Sequence, residues 1–156
     1  MTGPGGSRVR RARPDEAAAL TALARASKAV WGYPAAMLAR FAAELTITPA
    51  AIRDLPVFVV AGDDDRPLAV GAIGEADGTA EIAFMFVAPG ALRRGFGRLL
   101  FARLAAEARQ RGYLRLAIQA DPHAVGFYER MGAVRIGESE SASIAGRMLP
   151  VLAYAL

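Results

Sequence analysis

Apolar residues fall at helical spacing in two long stretches of the chain and at strand spacing, or in unbroken runs, through most of the rest. Ala17, Leu20, Leu23 and Ala24 share one side of a helix that runs to about Val30. Ahead of it, Ser7–Ala12 alternates weakly and suits a short strand. Asp15 lies near the helix start, and Glu16 in its favourable first turn. Gly32 breaks this helix, and Pro34 suits the first position of a second, Ala35–Leu45. Pro49 is expected to open another short turn before Leu55. Val57–Val60 reads as a buried run, closed by the turn Asp63–Pro67. Leu68–Gly74, the tight turn Ala76–Gly78 and Thr79–Val87 then complete a meander of strands. Phe96, Leu99, Leu100, Leu104 and Ala108 mark a second long helix within Gly95–Arg111, stopped by Gly112. Leu114–Ile118 alternates as a strand, and His123–Met131 is a short helix ended at Gly132. Ala133–Gly137 and Met148–Leu156 are closing strands around the polar linker Glu138–Gly146. The order predicts one α+β, or mixed α/β, domain.

Composition narrows the class. At 156 residues, 54% of them hydrophobic, the chain suits one core and one domain, expected over 7–156, with Met1–Gly6 a disordered leader. There is no cysteine, so disulfide scaffolds, thiol nucleophiles and cysteine-ligated metal centres are excluded. His123 is the single histidine, and no metal site is expected. Charges interrupt every long apolar stretch, and the N-terminus has no signal-peptide core, so neither a membrane partner nor export is expected and a cytoplasmic home fits. Nineteen basic residues against 15 acidic give a net charge of +4. Lys28 is the only lysine, alanine is over-used as arginine is, and the arginines are scattered apart from Arg8–Arg13 and Arg93–Arg98. A GC-rich coding bias accounts for that balance, and nucleic acid is not the expected partner.

The chemistry concentrates at one junction. Thr79–Val87 leads through a proline–glycine turn into Leu92-Arg93-Arg94-Gly95-Phe96-Gly97-Arg98 and a helix. Glycines at a helix start let backbone N–H groups approach a ligand closely, and the unpaired donors there favour an anion. Arg93, Arg94 and Arg98 add formal charge, so a phosphate or pyrophosphate is the natural partner. One strand and one helix later comes Asp121-Pro122-His123-Ala124-Val125-Gly126-Phe127-Tyr128-Glu129-Arg130-Met131-Gly132.

In that order, the two segments resemble the GCN5-related N-acetyltransferase (GNAT) superfamily over roughly residues 7–156. Their sharp matches lie within 79–104 and 114–137. The resemblance implies a central, mostly antiparallel sheet with a parallel splayed pair, flanked by about four helices. It implies acetyl-CoA as co-substrate, without a metal, and transfer to a primary amine of a small molecule or peptide by a monomer or homodimer. The amides of Leu92, Arg93, Arg94, Gly95, Phe96, Gly97 and Arg98 would hold the pyrophosphate. Phe86 and Val87 would pair with the pantetheine arm, with Asp121, Ala124 and Phe127 on its other wall. Tyr128 stands where the family places the proton donor to the departing thiolate, and Glu81 resembles a strand base acting directly or through water. Period-two alternation puts Glu81 with Ala83, Met85 and Val87 on one strand face, and Ile82, Phe84 and Phe86 on the other. Two positions depart from the pattern: Leu92 replaces an Arg or Gln, and Asp121 replaces an Asn. His123 is expected to cap its helix or face solvent. Ser27-Lys28-Ala29-Val30-Trp31-Gly32-Tyr33 lies where the acceptor pocket forms in this fold, so Trp31 and Tyr33 are its candidates. The readings left beside this one are a coenzyme-A-thioester sensor without turnover and an acetyltransferase acting on aminoacyl-tRNA.

Overall fold

A computed structural model describes residues 2–156; Met1, part of the expected leader, lies outside the described residues. The strands are β1 (Arg8–Arg11), β2 (Val57–Ala61), β3 (Pro67–Ala76), β4 (Thr79–Val87), β5 (Arg115–Gln119), β6 (Val134–Glu140) and β7 (Met148–Ala155). The helices are α1 (Ala17–Ala29), α2 (Ala35–Phe41), α3 (Pro49–Asp54), α4 (Phe96–Gln110) and α5 (Val125–Arg130). The strands form one sheet in the order β1-β2-β3-β4-β5-β7-β6. Every neighbouring pair is antiparallel except β4 and β5.

The sheet has a core on each side. Phe58 and Val60 of β2 join Phe96, Leu100 and Leu104 of α4, whereas Val57 and Val59 join Leu20 and Ala24 of α1 and Phe41 of α2. A strand buried on both faces needs no polar alternation, which is why Val57–Val60 is an unbroken apolar run. Helix α4 buries Phe96, Leu100, Leu104 and Ala108 of its predicted stripe and leaves Leu99 half-buried. Its buried Glu107 is paired with Arg103 and Arg111. Truncating Leu100 or Leu104, both fully buried, would cost about 2–5 kcal/mol.

Two local expectations are corrected. Helix α2 ends at Phe41, and a turn carries the chain on to Leu45. The short turn expected after Pro49 closes into α3, because the Thr48 hydroxyl accepts the Ala51 N–H and proline opens the helix without losing a bond. That makes five helices. Ahead of β1, Thr2 bridges to Arg8, Pro4–Gly6 forms a 3-10 turn, and a side chain at Gly3 would run into Leu99 of α4.

The correction with most consequence lies in β4. Its pairing with β3 runs Ala72↔Phe84 and then Ile73↔Ile82, leaving Ala83 as the extra residue of a β-bulge. A bulge shifts the side-chain alternation by one. Ile82, Met85 and Val87 therefore share the α4 side, and Phe84 and Phe86 the α1 side. Glu81 lies opposite Gly74 on the α1 side, with Phe84 and Phe86 rather than with Met85 and Val87.

Candidate active site

Strands β4 and β5 pair over only two positions, Ala80↔Leu116 and Glu81↔Ala117, and then diverge. From Ile82 to Val87, β4 is bonded to β3 alone, so its other edge is free. The divergence opens a cleft of about 790 Å³ lined by Ile82–Val87, by Gln119 at the end of β5, by Ala120 and Asp121 beyond it, and by the starts of α4 and α5. Because the gap passes between two strands, the cleft reaches both sides of the sheet.

On the α4 side, Gly95 precedes the helix at φ +85° and Arg93 holds φ +61°, both left-handed. The turn is tight enough that glycine is needed at the first and some strain is held at the second. No protein acceptor meets the backbone N–H groups of Arg93 through Arg98 among the described residues. No side chain caps α4 either. A 15-residue helix therefore presents its first donors, and the positive end of its dipole, to the cleft. A Cβ on Gly97 would come within 3.1 Å of the Phe127 ring, so glycine is what lets α4 approach α5 here. Arg93 and Arg98 line the cleft, and neither makes an ion pair among the described residues. Arg94 turns away and lies over the Phe96 ring, 4.9 Å from its centroid. Leu92 is exposed on the rim, as an apolar side chain where a polar one was expected.

Tyr128 lies deeper, 6% exposed, and lines the cleft beside Phe127, whose ring it meets edge-on. Burial pushes its hydroxyl well above the usual phenol range, so it stays protonated at any physiological pH. Phe86, Val87, Ala124 and Phe127 also line the cleft. Glu81 does not; its carboxylate lies toward Gly74, on the sheet side it shares with Phe84 and Phe86.

On the α1 side the wall is polar. Asp121 Oδ2 accepts from Lys28 Nζ at 2.7 Å and from the Tyr33 hydroxyl at 2.8 Å. Asp121 Oδ1 accepts from the His123 N–H at 2.9 Å and lies 2.9 Å from His123 Nδ1. Burial would raise the Asp121 carboxyl. The bonds from Lys28, the His123 amide and Tyr33 outweigh it and hold the group at about 2. Both oxygens are thus engaged with protein donors, and Asp121 braces the wall. His123 stacks on Trp31, with rings parallel within 7° and centroids 5.1 Å apart. Trp31 lines the cleft. Tyr33 does not, but it braces the wall from behind, edge-on to Phe41, and burial followed by the Asp121 bond raises its hydroxyl to about 12. Lys28, Glu44 and Arg147 also reach the cleft and were not singled out from the sequence as site residues. The one available signal was Lys28, the sole lysine, inside the Ser27–Tyr33 segment.

A sheet splayed at its single parallel pair, with an uncapped helix start on one lip and a buried tyrosine inside, defines the class of domain that performs N-acyl transfer. The acetyltransferase (GNAT) family profile matches residues 19–133, and the chain belongs to that family of acyltransferases. Solved structures agree on the fold. A GCN5-related N-acetyltransferase from Rhodopseudomonas palustris superposes with a TM-score of 0.81 at 21% identity, covering 100% of this chain and 97% of that one. The PaiA N-acetyltransferase of Thermoplasma acidophilum, solved in complex with coenzyme A, gives 0.78 at 12% identity, covering 96% and 99%. YncA from Salmonella typhimurium, solved with its cofactor acetyl-CoA, gives 0.65 at 20% identity, covering 96% and 93%. A comparison with curated proteins returns no match. Among the described residues there is no group of His, Asp and Glu that could hold a metal ion, and no helix is long and apolar enough to cross a membrane.

Proposed function

We propose that the protein transfers an acetyl group from acetyl-CoA directly to a primary amine, with Tyr128 as proton donor to the departing thiolate. One observation carries the reading: the run of unbonded N–H groups from Arg93 to Arg98 opens into the same cleft as the free edge of β4 and the Tyr128 ring. These residues fit a long, pyrophosphate-bearing thioester. The amides and the Arg93 and Arg98 side chains supply donors and charge for a polyanion. The unpaired edge of Ile82–Val87 offers bonds to an extended amide-bearing arm, as an added strand would take them. Ala124 and Phe127 close the other side.

When bound, the thioester supplies an activated acyl carbon. The chain supplies alignment and a proton. Holding amine and acyl carbon together is the larger contribution, since such alignment is worth several kcal/mol. Tyr128, kept neutral by burial, is the donor the leaving sulfur needs. No cysteine is present to carry the acyl group, which favours transfer in one step.

The test is release of free thiol from acetyl-CoA with a panel of amines, comparing wild type with Tyr128→Phe. A proton donor typically contributes ~10²–10⁴-fold, so kcat should fall by about 10²-fold or more while the KM for acetyl-CoA stays within about threefold. Full activity in Tyr128→Phe removes the assigned role. No thiol release with any amine, despite acetyl-CoA binding, would support the sensor reading.

A further inference from the structure

We infer that the acceptor is an amine that also carries a carboxylate, as a free amino acid does, and that Arg147 is the residue that recognises it. This rests on the transferase reading above. The cleft has two chemically different ends. The Arg93–Arg98 end belongs to the α4 side, where Phe96 is part of that core. The other end belongs to the α1 side, built on Tyr33 and Phe41. Two cations stand there, Lys28 and Arg147. Lys28 has its partner, Asp121, at 2.7 Å. Arg147 has none: no carboxylate lies within ion-pair distance among the described residues. Its Nη2 donates one bond, to the Tyr33 hydroxyl at 2.7 Å. The rest of a five-donor guanidinium is left for something else.

That side chain is not loose. Its guanidinium carbon lies 5.3 Å from the Tyr33 ring centroid and 5.2 Å from that of Phe41. Tyr33 in turn donates to Asp121, which Lys28 holds. Arg147, Tyr33, Asp121 and Lys28 thus form one braced chain, and the half-buried cation at its end faces the cleft. A planar fork fixed in place before the ligand arrives is suited to a carboxylate taken in two parallel bonds. A second feature supplies the opposite sign. Glu44 lines the same cleft, its Oε1 held by the Ser143 hydroxyl at 2.9 Å. A molecule with both a cationic amine and an anionic carboxylate matches both poles; a simple alkylamine leaves Arg147 unanswered.

The test uses the full chain, acetyl-CoA and paired acceptors: free amino acids and ω-amino acids against the corresponding amides, followed by thiol release. In wild type, kcat/KM for the best free acid should exceed that for its amide by tenfold or more. A site built to bond a group discriminates strongly against the analogue that lacks it. Arg147→Gln should lower the acid far more than the amide, mainly through KM, so that the acid-to-amide ratio of kcat/KM falls to about one. Arg147→Lys should restore part of the preference, which a merely structural loss would not show. Amides used as well as acids, no carboxylate-bearing amine accepted, or a preference that survives Arg147→Gln would each overturn the inference. Thermal stabilisation by acetyl-CoA alone, measured in parallel, separates the two readings. If it is present, those results remove only the acceptor class; if it is absent, the transferase reading falls and takes this one with it.

Discussion

Two runs of arginine stand in this chain, and they are wired in opposite ways. Arg8, Arg10 and Arg13 converge on Asp65, and Arg10 also takes Glu16 through two bonds at 2.8 and 2.9 Å. Those carboxylates are held below their ordinary ranges, Asp65 by Arg8 first and Glu16 by Arg10 first. The cluster ties β1, the start of α1 and the β2–β3 turn together, and Arg8, Arg10 and Arg13 each have an acidic partner; Arg11 of the same run donates to the Leu55 carbonyl instead. Arg93 and Arg98 carry the same charge with no acidic partner among the described residues, beside backbone donors with no acceptor. Composition cannot separate these clusters; partners do. A satisfied cluster belongs to the fold, and an unsatisfied one facing a cleft is arranged for a ligand from outside.

Replacing Arg93 and Arg98 together with Gln should produce the largest effect on this contrast. Coenzyme A affinity should fall by about tenfold or more, and its dependence on salt should flatten, because the lost contacts are the ionic ones. The melting midpoint without ligand should hold steady. A binding titration at two ionic strengths checks both parts.

Asp121→Asn tests the carboxylate that sits between the two behaviours, satisfied yet on the cleft wall. Its folded-state pKa of about 2 lies below the ordinary value of 3.8. The stabilisation from ionised Asp121 is therefore fully present above about pH 5 and is lost as pH falls from about 4 toward 2. The wild type should exceed Asp121→Asn by on the order of 1–2 kcal/mol near neutrality. Denaturation from pH 7 down to 2 should show that gap closing at the acid end.

Glu16→Gln removes one partner of the satisfied cluster. It should lower the melting midpoint and leave coenzyme A affinity unchanged, the reverse of the Arg93/Arg98 result. The Glu16 carboxyl is lowered, so this difference should shrink as pH drops below the ordinary glutamate range. If Glu16→Gln weakened coenzyme binding, the contrast between the clusters would break.

The smallest effect is expected from Glu81→Gln. Glu81 is turned toward Gly74 and does not line the cleft, so kcat and its pH profile should move by less than about threefold. A steep loss of kcat together with disappearance of the acid-side limb of the pH profile would restore it as the base.

Local pattern carried most of the fold into the sequence. Thr79–Val87 matches β4 at both ends, and the Phe96–Ala108 stripe fixes which face of α4 is buried. The glycine–arginine loop was legible because its chemistry lies within a few consecutive residues. What was hidden is non-local or a matter of one inserted residue. The bulge at Ala83 reverses which side Glu81 faces, and nothing in Ile82-Ala83-Phe84 announces it, since the pairing that exposes it lies on β3. Lys28 and Asp121 are 93 residues apart, Tyr33 and Arg147 are 114 apart, and no short motif spans them. The polar wall of the cleft therefore emerges only once α1, the loop after β5 and the segment before β7 are brought together.

The Arg93–Arg98 start of α4 is proposed to hold the pyrophosphate of an acyl-CoA. Isothermal titration with coenzyme A and, separately, with pantetheine, which lacks the phosphates, tests it most directly. The account predicts saturable binding of coenzyme A and at least a hundredfold weaker binding of pantetheine. Equal affinity for the two, or no binding of coenzyme A at millimolar concentration, would contradict it.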